Sequence, residues 1–170
     1  MRFVSASRLI LCSLWLGAAV FFSAVVAPSA FGVLRSFNLV NASQIAGDIV
    51  ARNLSVINIS GLIVGLFLLL TLFVVRNRRG RAGLITELIC ACLIIASTSV
   101  SRWLFAPRLR DLRIAIAMPF DQVPINDGRR MAFDSLHGYS VNALALAMIA
   151  ALVSIILIAR SGRKTASGEP

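Results

Sequence analysis

The chain has 170 residues, of which 58% are apolar and 14% charged, and its mean hydropathy is +0.87. Soluble domains carry roughly 45–50% apolar and about 25% charged residues, so this composition excludes disordered, fibrous and disulfide-scaffold proteins and points to the membrane. Seventeen basic residues against seven acidic ones leave a net charge of +10. The arginines stand in short clusters between long apolar runs, which marks them as membrane-flanking charge and excludes a nucleic-acid surface.

A membrane-spanning helix needs about 20 mostly apolar residues. Four segments satisfy this: 9–31, 57–75, 84–105 and 136–159. The expected fold is all-α, an integral membrane four-helix bundle with short helical extensions on the non-cytoplasmic side. Residues 1–8 are expected to form a cytoplasmic N-terminus, 9–159 the transmembrane domain, and 160–170 a basic cytoplasmic tail without fixed structure.

The first span follows a basic start, Arg2 and Arg8, and its apolar run exceeds the length of a secretory signal, so it is expected to stay as an anchor. Ser13 and Gly17 form a small-residue step suited to close helix contact, and Pro28 is expected to bend or end the helix. Ahead of the second span, Ala42, Ile45, Ala46, Ile49 and Val50 recur at helical spacing behind Ser43, an expected N-cap, so this helix should begin before the bilayer. Gly61 and Gly65 make a G-x-x-x-G pair that lets backbones approach closely. The Asn-x-Ser sequons at Asn41, Asn53 and Asn58 matter only in a glycosylating compartment. The basic segment Arg76 to Arg81 should be a tight connection.

In the third span, Glu87, Ala91, Ile94, Thr98 and Ser101 recur at spacings of three and four, a stripe expected to face the bundle interior. Glu87 is expected to pair with Arg81 or Arg160. Cys90 and Cys92 lie about 200° apart on a helix, so with Cys12 they read as reduced packing thiols, and no metal or cofactor motif is found. Arg102, beside Trp103, either reaches the interface or pairs with Asp134 or Asp48. Leu109, Leu112 and Ile116 continue a helical stripe past Pro107, and Asp127 in Asn126-Asp127-Gly128 can cap the last helix. Asp134 and His137, one turn apart on that helix, are candidates for proton or cation handling.

Orientation follows the density of Lys and Arg in short loops. Arg2, Arg8, Arg76, Arg78, Arg79, Arg81, Arg160, Arg163 and Lys164 crowd roughly 25 residues, whereas the opposite loops spread seven arginines over roughly 50. Both termini are therefore expected in the cytoplasm, of a bacterial cell.

Ser101-Arg-Trp-Leu-Phe-Ala-Pro-Arg108, followed by Phe133-Asp-Ser-Leu-His-Gly-Tyr-Ser140, resembles the paired signatures of the transmembrane protein 205-like family of four-helix membrane proteins. Trp15-Leu-Gly17 with Phe21, Pro28 and Phe31 is similar to that family's first helix. The resemblance runs from about Leu9 to Ala159 and puts Arg102, Pro107, Arg108, His137, Gly138 and Ser140 on the family pattern, with Ser101 standing where an Asn is expected and Ala106 where an acid often precedes the proline. It implies a fold and no defined reaction. Together with Asp134 these residues make an outer polar cluster, read as an entry site for a small solute or ion. The alternative is a non-catalytic interaction or assembly subunit that binds a second copy or another membrane protein. Beyond the lipid bilayer no further partner is indicated, and no catalytic constellation is found.

Overall fold

The computed structural model describes residues 2–75, 80–116 and 120–166. Six α-helices appear in chain order: α1 (Arg2–Phe21), α2 (Ala27–Ser36), α3 (Ala42–Val75), α4 (Arg81–Val100), α5 (Ala106–Ala115) and α6 (Gly128–Ala166). A π-helical turn, Phe22–Val26, joins α1 to α2, and another, Ser101–Phe105, joins α4 to α5. The result is four continuous rods, each long and apolar enough to cross a membrane. Each rod packs on its sequence neighbours and the first closes onto the fourth, so the rods form a ring that runs up, down, up and down. One end carries the termini and the Val75-to-Arg81 connection, of which residues 76–79 lie outside the described residues. We refer to it as the terminal end, and to the opposite end, where α2, α5 and the starts of α3 and α6 meet, as the capped end.

Both π turns have the same local cause. Pro28 and Pro107 each stand second in the helix that follows, and a proline there supplies no N–H and would press its ring on the carbonyl four residues back. The backbone opens by one residue, and the amides of Ala27 and Ala106 reach five residues back, to the carbonyls of Phe22 and Ser101. The helices continue afterwards, so Pro28 re-aims its rod and does not end it.

This shared device belongs to a longer correspondence. Shifted by 79 positions, the first rod matches the third: turn on turn, α2 on α5, and the Ala-Pro dipeptide on itself. The interior faces match as well. Arg8, Cys12, Trp15, Ala19 and Phe22 are buried on the first rod, and Glu87, Ala91, Ile94, Thr98 and Ser101 on the third. The chain is thus a tandem pair of helical hairpins, although its composition shows no repeat. The inward stripe expected on the third rod is the one observed.

At the terminal end the matched positions meet. Arg8 donates from Nη2 to Glu87 Oε1, and both residues are 0% exposed. The partner anticipated for Glu87 was Arg81 or Arg160. The reason it reaches Arg8 is that α1 begins at Arg2, carrying Arg8 into the bundle where a tail had been expected. Likewise α6 runs on through Ala166, so the start of the C-terminal tail is helical. Between the ends lies a dry core of Cys12, Leu68, Ile94, Ala147 and Ala151.

Glycine separates two kinds of packing. A Cβ on Gly61 would stand 2.8 Å from the Trp15 indole and the Thr98 methyl, and one on Gly65 would stand 2.8 Å from Ile95, so both let rods approach closely. Gly17 has nothing within 4 Å of such an atom. The inward face of α1 is fixed by Arg8, Cys12 and Trp15, which turns Ser13 and Gly17 outward, so they make no contact between rods of this chain. Caps differ from expectation at one of two places. Asp127 accepts from the Arg129 amide at 2.8 Å and caps α6. Ser43 lies inside α3, whose first turn closes with the Ile45 amide on the Asn41 carbonyl.

Candidate functional site: a cationic cleft at the capped end

Trp15 sets the floor. Its ring lies across Gly61 and Thr98, its indole N–H donates to the Ile57 carbonyl at 2.9 Å, and only a glycine at 61 leaves room for it. One helical turn nearer the capped end, three polar side chains meet. Asn58 Nδ2 donates to Ser101 Oγ at 3.0 Å, and Ser101 Oγ lies 3.4 Å from Ser140 Oγ. All three are buried, Asn58 to 2% exposure, and the Asn58 Oδ1 acceptor has no hydrogen-bond partner among the described residues. A buried carbonyl oxygen left unsatisfied costs about 1–3 kcal/mol, so a group that donates to it gains by arriving.

Above this triad the rods part around a cleft of about 1230 Å³. Its lining includes six arginines (Arg35, Arg52, Arg102, Arg110, Arg113 and Arg130) and two aspartates, Asp48 and Asp111. Asp48 is taken up by Arg113 at 2.6 Å. A concave surface with one sign of charge and low-dielectric walls concentrates counter-ions, here anions. One wall is an aromatic ladder. Phe120 and Phe133 lie 5.0 Å apart, Phe133 and His137 stack at 6.2 Å, and the guanidinium carbons of Arg130 and Arg113 sit 5.2 and 5.6 Å from the Phe120 and Phe133 centroids. Arg130 also donates to the Val123 carbonyl, which ties the 120–123 turn to α6.

The structure divides the polar residues singled out in the sequence. Arg102, Pro107, His137 and Ser140 line the cleft. Arg108 lines a separate shallow depression with Asp111 and Tyr139. Asp134 and Gly138 line neither. Asp134 approaches Arg130, four residues earlier on α6, at 4.0 Å, and Asp48 is held by Arg113 from α5, so neither acid pairs with Arg102. Among the described residues Arg102 forms no ion pair and His137 makes a ring contact with Phe133 but no hydrogen bond. No group of three metal-ligating side chains occurs among the described residues.

Asn58, Arg113 and Arg130 are site residues that sequence reasoning passed over. Asn58 stands in an Asn-x-Ser sequon, yet its burial between rods removes it from any modifying enzyme. Its signal was present, since an amide inside an apolar run has to find a partner across a helix interface. Arg113 and Arg130 had none, because their positions depend on how α5 and α6 fold back over the bundle.

No curated protein and no solved structure matches this chain. The family model described as a domain of unknown function, DUF4149, matches residues 10–116, from early α1 through α5 and including both proline-linked π turns, the Asn58–Ser101 contact and Arg102. With more than half of its length inside that match, this multi-pass membrane chain belongs to the DUF4149 family.

Proposed function

We propose that this protein takes a small anionic solute into the capped-end cleft from the non-cytoplasmic side of a bacterial cytoplasmic membrane, its termini lying inside. The observation that carries the reading is the combination in one cleft of six arginines against two aspartates with a buried polar floor. Lys and Arg density supports the orientation. Arg102, Pro107, His137 and Ser140, from the two stretches similar to the transmembrane protein 205-like family, border this cleft, which supports membership of that group as well. The function is binding and passage without chemistry, and the Trp15 floor is where passage is closed in this conformation.

The test is calorimetric titration of propionate into the full-length protein in nanodiscs. Saturable binding is expected that weakens as salt rises and falls about tenfold or more in Arg102→Gln, in line with the loss of one charge-assisted hydrogen bond. Failure of the native protein to bind any short-chain carboxylate, or binding indifferent to salt and to Arg102→Gln, overturns it. The second reading, an assembly subunit, is supported by the outward-facing Ser13–Gly17 step, around which there is open space.

A further inference from the structure

The cleft has two chemically different demands at neighbouring positions. Arg102, adjacent in sequence to Ser101, brings a guanidinium that no carboxylate of the described residues engages. Asn58, which contacts Ser101 across the rods, brings an acceptor oxygen that is buried and without a donor. Asn58 Nδ2 donates to Ser101 Oγ and the Ser101 and Ser140 hydroxyls make one contact with each other, while Asn58 Oδ1 accepts from none of them, so the triad presents a buried, open acceptor. A plain anion answers the guanidinium and leaves the amide oxygen unmet. A neutral alcohol or amine does the reverse.

The backbone points to the same place. The two rods interrupted by proline at corresponding positions of the tandem halves are the first and third, and Arg102, Ala106 and Pro107 of the second interruption line the cleft. Proline-interrupted segments in matching positions of a repeated membrane fold mark where ligands are held.

We infer that the ligand is a small organic anion that carries an O–H or N–H donor a few bonds from its charge, the anionic group on Arg102 and the donor on Asn58 Oδ1. This rests on the anion-cleft reading above and specifies the class of solute. Trp15 and Thr98 close the space beneath the triad. The donor is thus the deepest part of the bound solute, and the charge stays toward the mouth.

Three probes of one chain length separate the demands: 3-hydroxypropionate has charge and donor, propionate charge alone, and 1,3-propanediol donors alone. Titrated into the full-length protein in nanodiscs, 3-hydroxypropionate should bind about tenfold or more tightly than propionate, the discrimination expected when a buried acceptor is left unpaired, and the diol should not bind. Asn58→Leu, nearly the same shape, should bring the ratio of the two acids toward one. Equal binding of the two acids to the native protein overturns the donor inference and leaves the anion cleft standing. No binding of either acid overturns both. Because the native ratio is itself decisive, the result does not depend on Asn58→Leu folding.

Discussion

Single residues set both ends of this molecule. Arg8 and Glu87 are an ion pair without solvent, and such pairs are costly to break because the survivor stays buried and charged. Glu87→Gln is expected to lower stability by about 3–5 kcal/mol, read as a reduced unfolding temperature in detergent, whereas Arg8→Met with Glu87→Met should recover most of it by replacing the pair with apolar packing. Gly61→Leu places side-chain atoms where Trp15 and Thr98 already stand and is expected to cost about 1–3 kcal/mol by overpacking. An unfolding temperature equal to that of the native protein would refute this. Asp127 behaves differently. The Arg129 amide, then the Arg129 side chain, hold its carboxyl below the usual carboxylate value. A group depressed on folding stabilises at every pH above its unfolded value, and that stability fades as pH falls through the folded value. The loss therefore begins near about pH 4 and completes below it. Asp127→Asn, which still caps, should unfold with less acid dependence in that window.

Helices explain how much could be read beforehand. The four rods are long apolar runs and the stripe from Glu87 to Ser101 recurs at helical spacing, and run length and spacing are local properties that survive folding unchanged. The continuation past Pro28 was hidden because proline ordinarily breaks a helix, and the outcome turned on whether a π turn could absorb it. Gly17 and Gly61 look alike in sequence, each in a small-residue step, and only the rotation of each rod decides which one meets a neighbour. For the cleft, Arg102 and His137 were conspicuous as ionisable residues at a span's edge, whereas its floor required knowing that Asn58 faces Ser101. At this scale the two π turns carry a prediction of their own. Pro28→Ala and Pro107→Ala restore the missing amides, so the double variant is expected to unfold at a higher temperature but to bind 3-hydroxypropionate more weakly, because closing the second π turn re-aims α5 and with it Arg110 and Arg113 of the cleft.

Considered whole, the protein is two hairpins in series around one axis, with a charged lock at the terminal end, a dry middle and a wet mouth. Thiol labelling of intact cells tests its direction: with Cys92→Ser removing the exposed native thiol, Phe37→Cys at the capped end should react with an impermeant reagent and Ala82→Cys should not. The opposite pattern would invert the molecule. The correspondence of Arg8 with Glu87 has a consequence for how such a chain can exist at all. In a symmetric pair of identical hairpins, equivalent positions on the axis carry the same residue, so a charge there would face its own sign in a medium that does not screen it. Here the two equivalents have opposite signs, and the attraction joins unlike halves only. Either hairpin meeting its own twin would place arginine on arginine or glutamate on glutamate, so assembly of one half with itself is penalised by the same two side chains that lock the complete chain. Freed from the need to be identical, the halves could diverge at their other ends too. Phe22 and Ser101 occupy matching positions, and it is the serine, with Arg102 beside it, that gives the mouth a polar side and a direction of approach.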